Sequence, residues 1–400
     1  MTRLSTGTAP GFHPAFVVPR YGEEVVGGAE DLARRTAEEL ARRGYKVTAL
    51  ATRAVDHYTW KDHFPAGTCM LNGVEVTRFG ARTSLGDPGL HNVLAAITSG
   101  STLSETDQER WLDGVVMSDG LIDHLKERGT GYSHLVFLPY LFGTTYFGSM
   151  IYPERSYIVP CLHDEPYSHQ SLITKMLKRV KGLVFNSPGE RALAARLLDV
   201  DDPGPVVGMG FNVHPTDAAA FFDRTPVRGD FVLYAGRREG GKNTPMLVDY
   251  FRRFATRNPG AAKLVLMGAG DISIPPEASH AIFDLGRVSE TRKWDGYAAA
   301  SVFCQPSVNE SLSIVLLESW LAGTPALVHR ECDVTRDHVR ASGGGLTFKD
   351  YPSFAEALME LLSNRGLARR MGESGRRYVL EEYNWDSVIK RLLEALGVSH

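Results

Sequence analysis

Short apolar runs alternate with helix-length amphipathic stretches along almost the whole 400-residue chain, and few architectures accommodate that rhythm. An apolar run followed by a helical pattern is the signature of a β–α–β unit, and successive units build a parallel sheet. Residues 15–18 read as a first strand. Residues 30–43 follow as a helix with Leu32, Ala33, Thr36, Ala37 and Leu40 on one face, and Gly44 ends it. Strand 46–51 comes next, then strands 68–71 and 74–79 joined by Asn72-Gly73, a two-residue hairpin turn. The polar stretch 98–107 reads as a loop, and helical spacing resumes over 109–128. Residues 135–138, 157–162 and 183–185 read as further strands of the same sheet. After the last of these, Ser187-Pro188-Gly189-Glu190 forms a capping box, which is a structural feature.

The clearest change in composition runs from 199 to 230, where prolines, glycines and acids interrupt the periodicity. Beyond this linker the rhythm restarts. Strands are expected at 231–234, 263–267, 281–284, 302–305 and 325–328, and helices at 244–256, 290–299 and 314–322. A chain of this length holds two or three domains. The fold class is therefore α/β, with two doubly wound, Rossmann-like domains. The first spans 1–210 and the second 211–383. Ligands of open parallel sheets bind beyond the carboxyl ends of the strands. Function is expected in the loops after strands, and the two domains are expected to face an interdomain cleft.

Lys and Arg total 44 against 47 Asp and Glu, a net charge of -3, which removes the basic footprint of a nucleic-acid-binding protein. Cys69, Cys161, Cys304 and Cys332 lie far apart with no CxxC spacing. Neither a disulfide framework nor a structural zinc site is expected, and no HExxH provides another metal site. The first 14 residues lack the apolar core of a signal peptide. Residues 129–153 are poor in charge but too interrupted by Gly, Pro and Thr to span a membrane. A cytoplasmic location fits all of these.

Glu310 and Glu318 carry the most information. Glu310 precedes a helix, and Glu318 lies eight residues later within it, among Ile314, Val315, Leu316, Leu317, Trp320 and Leu321. A carboxylate there either points to the surface or needs a partner. Eight residues correspond to roughly 12 Å of helix rise, so the two acids could hold opposite ends of one elongated ligand. Ser311, Leu312 and Ser313 would present free N–H groups at the helix start, an anion site suited to a diphosphate. Glu310 would then accept hydroxyls beyond the phosphates, and Glu318 a ribose diol.

Gly236-Arg237-Arg238-Glu239-Gly240-Gly241-Lys242-Asn243 follows a strand and supplies the cations Arg237 and Lys242, although it is not a P-loop. A generic basic loop is the alternative. Gly27-Gly28 open the first long helix, where a phosphate or sugar could approach the backbone. No GxGxxG follows a strand, since Ser273 occupies the third position after Gly268 and Gly270, which disfavours a nicotinamide enzyme. His163, Asp164 and Glu165 cluster after another strand and form either a polar site or a core histidine with its neighbours.

These stretches, in this order, resemble the GT-B retaining glycosyltransferases of glycosyltransferase family 4 over nearly the whole chain. The resemblance is carried by GGAE at 27–30, GRxxxxK at 236–242, GRVSE at 286–290, and the Glu-x7-Glu segment 310–318 followed by Ala322-Gly323-Thr324-Pro325. The opening PRYGEEVVGGAEDLARR and LHDEP resemble a bacterial subgroup. The resemblance implies that Glu310 binds donor-sugar hydroxyls, Glu318 the ribose, and Arg237 and Lys242 the leaving diphosphate. It places Gly27 and Gly28 against the phosphates, Arg287 and Val288 beside the base, and His163 near the reacting sugar. The final segment, about 384–400, would pack back on the first domain. One departure stands out: Leu312-Ser313 occupies the position where the family has Phe-Gly.

The activity implied is transfer of a sugar from a nucleoside-diphosphate sugar to an acceptor hydroxyl on a glycan, glycolipid or natural product, with retained configuration. No cofactor or metal is required when cations stabilise the leaving diphosphate. Asp164 is the alternative nucleophile for a covalent route. Acceptor contacts are expected in the first domain, with Trp60, Trp111 and Tyr140 as rings that could stack on sugars or pack in the core. The protein is expected to be a monomer or homodimer. A lipid-linked acceptor would bring it to a membrane surface, where Lys175, Lys178, Arg179 and Lys181 would face lipid. Otherwise they form a solvated helix face. A nucleotide-sugar epimerase, a sugar phosphorylase and a non-catalytic sugar-nucleotide-binding subunit are the competing readings.

Overall fold

The computed structural model describes residues 11–238 and 240–398. Most of the N-terminal segment read for targeting, Glu239 of the basic loop and the last two residues lie outside the described residues. The chain divides into two units, Met1–Gly210 with Trp385–His400, and Phe211–Asn384.

The first unit is built on a seven-stranded sheet of order β3-β4-β2-β1-β5-β6-β7. Its strands are β1 (Pro14–Val17), β2 (Thr48–Thr52), β3 (Gly67–Leu71), β4 (Val74–Phe79), β5 (His134–Phe137), β6 (Ser156–Ile158) and β7 (Gly182–Leu183). All pairings are parallel except β3 with β4. β1 and β2 are buried along their whole length, as strands covered on both faces must be. β3 is an exposed edge, turned by Asn72 (φ 49) and Gly73 (φ 83), the pair of positive values that a hairpin of matching twist requires. Helix Trp385–Ala395 belongs to this unit. Arg391 donates to the Val207 carbonyl at 3.1 Å, Arg43 pairs with Asp386 at 2.5 Å, and His134 Nε2 meets the Leu396 carbonyl at 2.9 Å.

The helix expected over 109–128 is two helices, Glu105–Val115 and Asp119–Arg128. The break has a cause. Met117 exchanges backbone hydrogen bonds with Arg82 at 2.7 and 2.8 Å, and the Ser118 hydroxyl accepts from Leu121 N–H at 3.4 Å to start the second helix. The stretch 98–107 is a shorter loop than expected, because helix Pro88–Thr98 ends where it begins and Ser104 caps the next helix.

The second unit carries six parallel strands, β8 (Phe231–Ala235), β9 (Lys263–Met267), β10 (Ile282–Asp284), β11 (Val302–Gln305), β12 (Ala326–His329) and β13 (Gly345–Phe348), in the order β10-β9-β8-β11-β12-β13. Helix Ala218–Asp223 interrupts the linker expected over 199–230. Helices Asp333–Ser342, Tyr351–Ser363 and Arg365–Glu382 complete the unit. Trp320 is fully buried here and donates from its indole N–H to the Gly344 carbonyl at 2.8 Å. Among the described residues no helix is long and apolar enough to cross a membrane.

Each sheet reverses its strand order once, between β1 and β5 in the first unit and between β8 and β11 in the second. Such switch points are where ligands of open α/β sheets bind.

Candidate functional site

In the second unit the switch point lies between two loops singled out by sequence. Gly236, with φ 149, ends β8, and its N–H donates to the Met267 carbonyl at 3.0 Å. A Cβ at Gly268 would overlap the Gly236 carbonyl, so glycine lets the ends of β8 and β9 close on each other. The loop then delivers Lys242 to Glu310, Nζ to Oε1 at 2.7 Å, with the side chains 24% and 10% exposed. Glu310 stands after β11, and Gln305 at the end of that strand donates Nε2 to the same Oε1 at 2.7 Å. Asn243 Nδ2 donates to the Pro306 carbonyl at 3.2 Å and ties the two loops a second time.

The two neighbouring arginines divide their work. Arg238 is buried and forms a two-point pair with Asp284, one arm at 2.7 Å, while Arg237 is half-buried. Arg238 is thereby a brace between the ends of β8 and β10.

Glu310 is followed by Ser311, Leu312 and Ser313, then helix Ile314–Leu321. The first bonds inside this helix run from Leu316 and Leu317 N–H to the Ser313 carbonyl at 3.1 and 3.4 Å, which leaves the earlier N–H groups for other acceptors. Ser313 takes φ 66 and ψ 65, a left-handed conformation that costs a non-glycine residue roughly 1–2 kcal/mol. Its hydroxyl and Gln305 Oε1 are buried with no hydrogen-bond partner, and orphaned polar atoms of this kind mark a place where a ligand or water belongs.

Glu318 does not point to the surface. It is 1% exposed, accepts from Tyr297 O–H at 3.1 Å and pairs with Lys293 at 3.1 Å. Burial pulls the Lys293 ammonium down, but Glu318 and Glu290 more than offset this and its pKa ends above the usual value. The partner that this apolar helix demanded therefore lies on helix Glu290–Ala299, where Lys293 and Tyr297 share a face four residues apart. Arg287 is exposed and Val288 half-buried on the loop after β10, and Gly286 at its start accepts from Gly268 N–H at 2.8 Å.

In the first unit, the loops after β1, β5 and β6 are held by acids, Glu30 buried and Glu165 about a quarter exposed. A Cβ at Gly27 would overlap the Glu30 carboxylate, which forms a buried pair with Arg20 at 2.5 Å. Gly27 thus makes room for its own unit. Gly28 has open space where a Cβ would sit. His163 Nδ1 lies 3.7 Å from Glu165 Oε1, and the same oxygen accepts from Tyr140 O–H at 2.9 Å. Asp164 is exposed and paired with His169 at 2.8 Å; both, with Glu165 and Thr102, line a cavity of about 250 Å³.

Ser187 caps helix Pro188–Leu198, accepting from Glu190 N–H at 3.2 Å, but the Glu190 carboxylate does not complete the capping box. It accepts instead from Leu162 N–H at 2.7 Å and Asn186 N–H at 2.6 Å. Burial pushes its pKa up to about 8 against the pull of those donors.

Of the two roles open to Trp60, Trp111 and Tyr140, stacking on sugars is corrected and packing in the core is found. They are 2%, 1% and 0% exposed. Trp60 packs edge-on to Phe142 at 5.3 Å, Trp111 lies 5.3 Å from Tyr167, and Tyr140 is anchored on Glu165. Tyr58, two residues before Trp60 in the same loop, is 68% exposed, with its ring 4.0 Å from that of His57. Lys175, Lys178, Arg179 and Lys181 are exposed, with Lys175 paired to Glu105. Sequence reading also missed Gln305, five residues before its partner Glu310, and Lys293 and Tyr297, whose shared partner Glu318 lies 25 and 21 residues further along the chain.

Residues 218–378, within the second unit, match the family of glycosyl transferases group 1. Two parallel-sheet Rossmann-like domains are the GT-B architecture, and a solved structure of sucrose-phosphate synthase from Thermosynechococcus elongatus shares the fold, with a TM-score of 0.72 and 18% identity over 96% of this chain and 98% of that one. Among curated relatives, a D-inositol 3-phosphate glycosyltransferase of Salinispora arenicola is 30% identical over 190 residues, 43% of this chain and 42% of that one. An uncharacterized glycosyltransferase of Methanocaldococcus jannaschii is 27% identical over 176 residues, 42% of this chain and 45% of that one. The chain thus spans less than half the length of these relatives.

Proposed function

We propose that this protein is a retaining glycosyltransferase, which takes a sugar from a nucleoside-diphosphate sugar and joins it to an acceptor hydroxyl. One observation carries the reading: the Lys242 loop and the Glu310 loop meet at the switch point of the second sheet, beside a helix start with uncommitted N–H groups. The family match over 218–378 supports it.

The chemistry follows from charge. As the bond between sugar and diphosphate stretches, negative charge grows on the leaving phosphate oxygens. Lys242, Arg237 and the N–H groups from Ser313 onward are donors fixed before the reaction begins, which is where electrostatic catalysis gains most. Lys242 would stand between the Glu310 carboxylate and the diphosphate, so that its charge is shared and not neutralised. Glu310 would accept hydrogen bonds from hydroxyls of the transferred sugar. Retention follows if the acceptor attacks from the leaving group's side and the departing phosphate oxygen takes its proton, a route that needs no side-chain nucleophile. Glu318, already paired with Lys293, would accept a ribose hydroxyl only by sharing its oxygens with Lys293 and Tyr297.

The first unit would hold the acceptor, with His163 in the role the resemblance implies. The D-inositol 3-phosphate glycosyltransferase of Salinispora arenicola points to a phosphorylated cyclitol as one acceptor class to try. The deciding experiment is a thermal-shift screen of UDP, GDP, ADP and dTDP, followed by turnover with the sugars of whichever nucleotide binds. Product that requires an acceptor supports transfer. Donor conversion without acceptor would instead show epimerisation, and dependence on inorganic phosphate would show phosphorolysis.

A further inference from the structure

The peptide joining Leu312 to Ser313 is gripped from one side only. Its carbonyl meets His338 Nε2 at 3.1 Å. A carbonyl can only accept, so Nε2 carries the ring proton, and Nδ1 is left to accept from Tyr378 O–H at 3.0 Å. Tyr378 and Tyr383 both stand edge-on to the imidazole, at 5.9 and 5.8 Å. Burial holds the His338 pKa down at about 4, so the ring is neutral with one proton to give.

In a trans peptide the carbonyl and the N–H point in opposite directions. Drawing the Leu312 carbonyl onto His338 therefore turns the Ser313 N–H away from the imidazole. Half a turn of that peptide would carry Ser313 from φ 66 to the negative side that serine prefers, and would put a carbonyl oxygen where the N–H stands. Serine at this position has a standing tendency to flip, which glycine would not have. The His338 bond opposes the flip.

We infer that His338 is a positioning residue, which locks the Leu312–Ser313 peptide so that its N–H, and not its carbonyl, faces the diphosphate of the donor. This rests on the donor reading above. It also explains how Ser313 is tolerated at a left-handed position.

The test titrates the wild type, His338→Leu and His338→Gln with UDP, GDP, ADP and dTDP, and with the matching nucleosides, by calorimetry. For the diphosphate that the wild type binds, His338→Leu should weaken affinity about tenfold or more while the nucleoside is unaffected. His338→Gln, whose Nε2 can still donate, should recover most of the loss, and adding Ser313→Gly to His338→Leu should recover part of it. Equal losses for diphosphate and nucleoside, or a glutamine variant as weak as leucine, would reduce His338 to a packing residue and overturn the inference. Nitrogen NMR of the ligand-free wild type supplies an arm independent of folding in the variants: a ring protonated at Nδ1 also overturns it. Failure of the donor reading looks different, since the wild type itself would then bind none of the four diphosphates, and the inference would fall with it.

Discussion

The two switch points use their carboxylates in opposite ways. In the first unit Glu30 closes on Arg20, Glu165 on Tyr140, and Glu190 on the backbone of Leu162 and Asn186. Glu30 and Glu190 are buried, and all three acids shape loops by bonding within their own unit. In the second unit Glu310 is held by Lys242 and Gln305 next to an open helix start, with orphaned polar atoms around it. Similar topologies thus have one sheet edge braced by acids and one equipped for an anionic ligand. Mutations should separate them, since damage to the first should read as lost stability and damage to the second as lost turnover.

The largest effects should fall at the two extremes of this comparison. Trp111→Ala removes a fully buried ring from the first core and should cost about 3–5 kcal/mol, measured by urea denaturation. A variant as stable as the wild type would show that the ring is not part of the core. Glu310→Gln should leave the unfolding midpoint nearly unchanged while turnover falls roughly 10²–10³-fold, because Lys242 and the helix start remain but the charge that holds Lys242 is gone. Turnover near that of the wild type would remove Glu310 from the donor site.

Glu318 sharpens the contrast, since it belongs to both categories. Glu318→Ala strands the mostly buried Lys293, which keeps only Glu290 at 3.0 Å, so stability should drop by about 2–3 kcal/mol. Nucleotide affinity should weaken as well. In the Glu318→Ala, Lys293→Met double variant the stability loss should shrink and the affinity loss should remain. If both losses vanish together, Glu318 is a packing element alone.

Five strands of the second unit were legible as short, mainly apolar runs, and 263–267 and 302–305 are found where periodicity put them, whereas β13 was missed because Gly345 and Thr347 break its run. The Lys242–Glu310 meeting was legible only through topology, by placing both loops after strands. What stayed hidden depends on contacts between residues far apart in sequence. Nothing near Glu318 announces Lys293, 25 residues earlier, and nothing near Glu190 announces the Leu162 N–H, 28 residues earlier. The choice between the two roles of Trp60 was hidden for a related reason. It sits in a polar loop with φ 53, and only the folded loop turns its ring inward under Phe142. The break at 116–118 was invisible because Met117 is held by Arg82, on a segment more than thirty residues away.

The remaining effect concerns pH and bears on the first unit alone. Glu190 has its folded pKa raised to about 8 by burial, against an unfolded value near 4.5. Between those values the folded chain binds the extra proton, so stability should fall as pH rises from 4.5 to 8, by at most about 1.4 kcal/mol per pH unit. Glu190→Gln cannot ionise, and its one carbonyl oxygen can serve only one of the Leu162 and Asn186 N–H groups well. The variant should therefore start less stable than the wild type at pH 5 and close the gap as pH approaches 8. A parallel pair of stability curves would mean that Glu190 remains ionised in the fold.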